Sequence, residues 1–355
     1  MFFWEEPIHD AEQAHVELRQ NNRQLYVAVP HLPASLTLSE TCEVQKVLLS
    51  KLLSEHRICN PVVWYYTPMA WDFTEHLRSS AVVYDCMDEL SAFRGAPLGL
   101  RAAEQQLFSI ADLVFTGGQS LYERKRRAHP SVHCFPSSID REFFSTARLI
   151  GEDPSDQQPI RRPRLGYCGV IDERMDLGLL AAVAQARPEW QIVMVGPVVK
   201  ISESDLPKAD NLHYLGMRGY RSLPSYLSGW EVGLLPFAHN DSTRFISPTK
   251  TPEYLAAGLP VVSTSIRDVV TPYGIQRLVE IADTPQEFVA AAERAMGERN
   301  SSARLKQVDQ FLSNMSWDST WTRMSSLIMQ TVARNADGAA AEIESPGVLD
   351  SFAAD

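Results

Sequence analysis

The 355-residue sequence contains no GxGxxG, no GxxxxGK[ST], no GxSxG and no HExxH. The dinucleotide, P-loop, hydrolase-elbow and zincin classes therefore lack the residues their chemistry needs. It has no Asp-x-Asp pair either, which removes one common metal–diphosphate clamp and leaves metal-free diphosphate binding as the alternative. The five cysteines, Cys42, Cys59, Cys86, Cys134 and Cys168, form no CxxC. His56 near Cys59 and His133 beside Cys134 fall short of a four-ligand zinc pattern. These cysteines read as buried or free thiols of a reducing compartment. No run approaches the roughly 18 apolar residues that a bilayer-spanning helix needs, and no leader pattern is visible. The expected location is the cytoplasm.

What is present is the composition of an ordinary globular protein, 45% hydrophobic and 22% charged. A formal net charge of −11 argues against a general nucleic-acid binder. Arg124-Lys125-Arg126-Arg127 is the local exception. It reads either as a solvated helix face or as a contact for anionic lipid headgroups at the inner membrane face.

Short apolar strands alternate with amphipathic helices almost throughout. Strands are predicted at Leu25–Val29, Val62–Tyr66, Ala81–Asp85, Leu113–Thr116 and Val132–Phe135. A second series covers Arg164–Cys168, Gln191–Val195, His213–Leu215, Val232–Pro236 and Pro260–Ser263. Helical spacing fits Glu43–Glu55, Leu100–Ala111, Gln119–Ala128, Leu177–Ala186 and Pro285–Ala295. Such alternation implies an α/β protein whose parallel sheets are covered by helices. The polar, Pro-rich segment 151–163 separates an N-terminal Rossmann-like domain (1–150) from a C-terminal one (164–314). A helix follows over 315–334, and the Ala- and acid-rich residues 335–355 read as a disordered tail. Met1–Trp4 looks like a strand, so the first domain is expected to lack its first βα unit or to have a truncated start.

Candidate chemistry sits where strands end. Ser247–Thr264, SPTKTPEYLAAGLPVVST, reads as a loop, a short helix opening near Glu253, and a buried strand. Ser247, Thr249 and Lys250 offer donors to a diphosphate. Glu253, in the first turn, can accept two sugar hydroxyls or simply satisfy the helix dipole. Gly169, after the strand ending at Cys168, permits close backbone approach or serves turn geometry, and Arg174 can neutralise phosphate. Asp172 and Asp176 read as caps of the next helix. Tyr220, in LGMRGYRSLPSY, can wall a flat base. In the first half, Thr67, Asp85, Asp88 and Glu89 follow apolar strands. Asp88 and Glu89 can position acceptor hydroxyls, act as base, or cap a helix. Gly117-Gly118 marks a close approach or a turn.

Taken together, GYCGVIDERMDLGLL, HYLGMRGYRSLPSYL, VGLLPF, SPTKTPEYLAAGLPVVST and SWDSTWTRM resemble the family-4-like retaining glycosyltransferases of the GT-B fold, in the right order. The resemblance implies two Rossmann-like domains facing across a crevice. The activated sugar nucleotide would be held mainly by the second domain, and a C-terminal helix would return to the first. It places Glu253 at the second glutamate of the family's Glu-x7-Glu motif, the ribose holder, and leaves Phe245 at the first. Of the family's basic diphosphate pair the resemblance assigns Arg174 to one member and leaves Lys250 as the substitute for the other. The crevice histidine falls near Met87, beside Asp88. The implied activity is metal-independent hexosyl transfer from a nucleotide-diphosphate sugar to a glycan or lipid-linked acceptor, with no cofactor, in cell-surface polysaccharide or glycolipid synthesis. Asp88, Glu89, Arg174 and Lys250 are the catalytic candidates. Gly169, Arg174, Tyr220, Ser247, Thr249, Lys250 and Glu253 are the donor-binding ones. The alternative is a catalytically degenerate relative that binds a nucleotide sugar or a partner.

Overall fold

The computed structural model describes residues 1–22 and 24–344. Its elements, in chain order, begin β1 (Phe2–Trp4), β2 (His15–Gln20), β3 (Tyr26–His31), α1 (Leu38–Glu55), β4 (Val62–Tyr65), α2 (Trp71–Thr74), β5 (Ala81–Cys86), α3 (Leu100–Ile110), β6 (Leu113–Thr116), α4 (Gln119–Lys125), β7 (Val132–Cys134) and α5 (Arg141–Ser145). They continue with β8 (Arg164–Cys168), α6 (Leu177–Ala186), β9 (Gln191–Val195), β10 (Leu212–Gly216), α7 (Leu223–Ser228), β11 (Val232–Leu235), α8 (Lys250–Ala256), β12 (Val261–Ser263), α9 (Arg267–Val269), β13 (Val279–Ile281), α10 (Pro285–Gly297), α11 (Ser302–Leu312) and α12 (Trp317–Glu344).

Two compact units emerge. One comprises Met1–Asp85, Gly99–Leu113 and the chain from Ile328 on; the other comprises Cys86–Leu98 and Val114–Leu327. In the first unit β3 pairs parallel with β1 and antiparallel with β2, and β4 pairs parallel with β5. The β2 hairpin partner, HVELRQ, was not expected. Its side chains are mostly exposed, so it carries little of the apolar signal that marks a strand. Thr37 caps α1 in a capping box with Glu40, which starts the helix five residues before the apolar spacing alone suggests. Tyr65 and Trp71, from the aromatic WYYTPMAW run, meet edge to face with ring centroids 6.4 Å apart, and Tyr65 is buried. Within the same unit Asn335 on α12 donates to the Ser80 carbonyl at 3.0 Å and to Asp112 at 3.1 Å.

The second unit is built on a six-stranded parallel sheet in the order β10-β9-β8-β11-β12-β13. β8 and β11 are buried throughout, as expected for central parallel strands covered on both faces. Asp176 caps α6, accepting from Leu179 N at 2.8 Å. Asp172 does not cap it; its carboxylate turns to Arg174 instead. The 151–163 segment has no regular structure, yet it is tightly held. Gln157 is fully buried, donates to the Tyr226 carbonyl and accepts from Trp230 Nε1 at 2.8 Å. Asp156 takes both Arg218 and Tyr226. The polar content that marks a linker is here the hydrogen-bonding needed to bury it.

The disordered tail expected from residue 335 is helical as far as Glu344, because Ala-rich sequence has the highest intrinsic helix propensity. Residues 345–355 of that expected tail lie outside the described residues. No helix among the described residues is long and apolar enough to cross a membrane.

Candidate functional site

The site begins with the carboxyl end of β8. Gly169 stands there at φ +148°, where a side chain would be strained. Its N–H donates to the Val195 carbonyl at 2.8 Å, so the turn is locked to β9. A β-carbon at Gly169 would lie 2.0 Å from Lys250 Cε and 2.8 Å from Lys250 Nζ. The lysine stem therefore runs across bare backbone, and only glycine leaves it room.

Lys250 is the first residue of α8, whose N-cap, Thr249, makes no side-chain cap bond. The helix is fixed from behind. Tyr254, fully buried one turn on, accepts the Cys168 N–H at 2.7 Å. That bond ties the first turn of α8 to the last residue of β8. Among the described residues Lys250 carries no ion pair, so its charge faces the site unspent.

Glu253 lies in the same first turn. Its carboxylate makes no side-chain hydrogen bond among the described residues. Burial pushes it up to about 7, with Lys250 opposing. Tyr220 stands close enough that, after its own burial, Glu253 and Asp140 also push its phenol up. The Tyr220 ring stacks on Phe143 with centroids 4.9 Å apart and meets Phe144 edge-on at 5.8 Å. It stays half exposed, a flat aromatic ledge beside a carboxylate.

Arg174 is positioned by the loop after Gly169, which is laced to the end of β11. The Ala238 N–H donates to the Arg174 carbonyl at 2.8 Å, and Asp176 N–H to the Pro236 carbonyl at 2.8 Å. Asp172 grips the guanidinium in a fork, with Nη2 to Oδ2 at 2.7 Å. The opposite side of the group lies over Phe93, 5.5 Å from its ring centroid.

Asp88 and Glu89 part company. Asp88 is pushed up by burial and pulled back by Arg174, Lys200 and Lys250, which makes it the counter-charge among three cations. Glu89 instead takes the buried Lys125 at 2.9 Å, and its other oxygen accepts from Ser91. A carboxylate spent on a buried cation is not free to act as base, so the structure sets Glu89 apart from the group. The basic run on α4 divides the same way: Lys125 faces in, while Arg124, Arg126 and Arg127 are exposed.

Ser247 faces Gly118. A β-carbon there would lie 2.7 Å from Ser247 Cβ and 2.3 Å from Asp268 Oδ2, so the Gly117-Gly118 pair is a close approach rather than only a turn. Asp268 accepts the Ser120 N–H at 2.9 Å at the start of α4. Phe245 carries Arg244 over its ring at 5.3 Å. In the first unit Asp85 is buried, receives Trp64 Nε1 at 3.2 Å, and is pushed up to about 6 by burial. Thr67 caps a short turn, accepting from Met69 N. Among the described residues no group of three or more His, Cys, Asp or Glu is arranged to hold a metal ion.

Gly169 and Arg174 follow β8, Tyr220 follows β10, and Lys250 and Glu253 follow β11, all on the carboxyl-end side of the six-stranded sheet, the usual ligand edge of an open α/β sheet, while Asp88 follows β5 and feels the charges of Arg174 and Lys250. Residues 162–298, which include all of these except Asp88, match the family described as Glycosyl transferases group 1. Outside the family description, the chain is 28% identical over 258 residues to the putative teichuronic acid biosynthesis glycosyltransferase TuaH of Bacillus subtilis, covering 66% of this chain and 64% of that relative's length. Among solved structures it is similar to sucrose-phosphate synthase from Thermosynechococcus elongatus (14% identity, TM-score 0.72, 94% of this chain and 89% of that one). It is also similar to Anabaena HepE in complex with UDP (16%, 0.63, 86% of each) and to WaaG, a glycosyltransferase involved in lipopolysaccharide biosynthesis (13%, 0.60, 85% and 86%). The fold is of the GT-B type.

Lys200 and Phe93 were missed from sequence. Lys200 follows β9 by five residues, and the rule that ligands gather at strand ends was the signal available for it.

Proposed function

We propose that the chain transfers a hexosyl group from a nucleotide-diphosphate sugar to a glycan or lipid-linked acceptor in cell-surface polysaccharide or glycolipid synthesis, with retention and without a metal. The observation that carries this reading is the pairing of an unspent cation, Lys250, laid over Gly169, with an unpartnered carboxylate, Glu253, in the same helical turn. A nucleoside diphosphate presents phosphate and ribose hydroxyls a few ångströms apart, which matches that pair. The TuaH relative and the UDP complex of HepE point the same way.

In this reading Lys250 and Arg174 face the diphosphate as negative charge builds on the leaving group. Their value lies in being held in place before reaction. Glu253 accepts the ribose hydroxyls, Tyr220 lies against the base, and Ser247 and Thr249 donate to phosphate oxygens. Asp88 keeps the cations from repelling one another before the donor arrives, and orients an acceptor hydroxyl afterwards.

One observation favours a second reading, a binding protein without turnover. Phe245 stands where the resemblance to the Glu-x7-Glu motif would call for its first glutamate, and its ring is engaged by Arg244. Transfer and hydrolysis across a panel of nucleotide sugars, comparing wild type with Lys250→Ala and Glu253→Ala, separates the two. Turnover that falls at least tenfold in Lys250→Ala supports the enzyme. Binding without turnover supports the second reading, and binding of no nucleotide overturns both.

A further inference from the structure

The loop after β9 continues the pairing of its strand. Ile171 bridges Val198 in parallel register beyond the strand ends. Ile171 N–H donates to the Pro197 carbonyl at 2.9 Å, and Val199 N–H to the Ile171 carbonyl at 3.0 Å. The loop bearing Lys200 is therefore fastened to the loop bearing Gly169 and Arg174, at the ligand edge of the sheet. Lys200 itself sits at φ +63°, a conformation rare for a long side chain. Such backbone is found where the surroundings hold a residue in place.

Its side chain is charged, accessible and weakly engaged. Nζ is 3.8 Å from Glu173 Oε1, beyond hydrogen-bond distance, with 42% of the lysine side chain and 15% of the glutamate exposed; the pair is loose, and the ammonium end is open to solvent. The same Nζ lies 4.7 Å from the Phe93 ring centroid, the ring that also carries Arg174. Lys200 and Arg174 thus share one aromatic support, and the charges of both, with that of Lys250, act on Asp88.

We propose that Lys200 is a third cation of the donor site, leaving Glu173 to contact the diphosphate beside Arg174 and Lys250. The assignment rests on the nucleotide-sugar reading above. It restores a second basic group next to Arg174, supplied by the β9 loop instead of the loop after β8. A charge-assisted contact to phosphate has the strength for roughly a tenfold effect on affinity.

The test is calorimetric titration of the full chain with UDP and UMP, with ADP and AMP in parallel. The variants are Lys200→Asn, chosen because Asn tolerates the left-handed backbone, and Lys200→Arg. The expected result is about a tenfold loss of diphosphate affinity in Lys200→Asn, unchanged monophosphate affinity, and recovery in Lys200→Arg. Wild-type diphosphate affinity in Lys200→Asn overturns the role of Lys200 and leaves the nucleotide reading intact. Equal losses for mono- and diphosphate also overturn it, since a general disturbance of the site would do that. A wild-type chain that binds none of the four nucleotides overturns the nucleotide reading itself.

Discussion

Lys250 Cε occupies the space that a β-carbon on Gly169 would need: the two atoms would be 2.0 Å apart. The lysine end is flexible and can swing away, so Gly169→Ala should still fold. Its cost is the strain of a side chain at φ +148°, about 1–3 kcal/mol, and the displacement of the ammonium. We expect nucleotide-sugar affinity to fall at least tenfold, read by calorimetry, with the melting transition still cooperative. Unchanged affinity would show that Lys250 does not need its present position.

Glu253 should make the protein more stable in mild acid than in base. Its carboxyl is raised from 4.5 to about 7 in the folded state, so the folded protein holds this proton more tightly than the unfolded chain. The stabilising contribution is present below about 4.5 and is lost as pH rises through 7. Glu253→Gln should therefore stabilise the protein at pH 8, by on the order of 1–3 kcal/mol, in urea titrations. No gain at pH 8 would mean that the carboxylate is better solvated than its burial implies.

The same group sets a pH dependence on binding. An ionised Glu253 accepts two ribose hydroxyls, whereas the protonated form is a poorer acceptor. Affinity for an intact nucleotide sugar, whose diphosphate diester does not titrate near neutrality, should fall as pH drops from 8 to 6. In Glu253→Gln the profile should be flat and low. A wild-type profile that is already flat would remove Glu253 from the ribose.

Glu89 is expected to matter for folding and not for chemistry. Glu89→Ala removes the carboxylate that pairs with the buried Lys125, and breaking a buried ion pair costs up to about 3–5 kcal/mol. Replacing the pair together, Glu89→Leu with Lys125→Met, should recover much of that stability in urea unfolding and leave donor turnover near wild type. A stable double variant without activity would return Glu89 to the catalytic group.

Much of the fold was legible because buried parallel strands announce themselves as short apolar runs. Leu113–Thr116, Arg164–Cys168 and Gln191–Val195 have the same bounds in sequence and structure. β2 was illegible because its face is wet, and β13 because three residues carry too little pattern. Gly169, Arg174, Lys250 and Glu253 stood out since each follows a strand end or opens a helix along the chain. Phe93 and Lys200 did not. What joins them to Arg174 is a shared ring face and a lateral pairing of loops, and neither leaves a trace in linear order. Asp172 is no cap because α6 begins at Leu177 behind Asp176, and its carboxylate accepts the backbone N–H and the guanidinium of Arg174 instead.

Asn335 closes the first unit onto Ser80 across 255 residues and onto Asp112 across 223. Because a chain emerges from the ribosome amino end first, Ser80 and Asp112 are made well before Asn335, and the strands of the six-stranded sheet are made in between. A helix made late thus helps to complete a unit begun early. Loss of a few residues near Asn335 should therefore be felt at Ser80, far away in sequence.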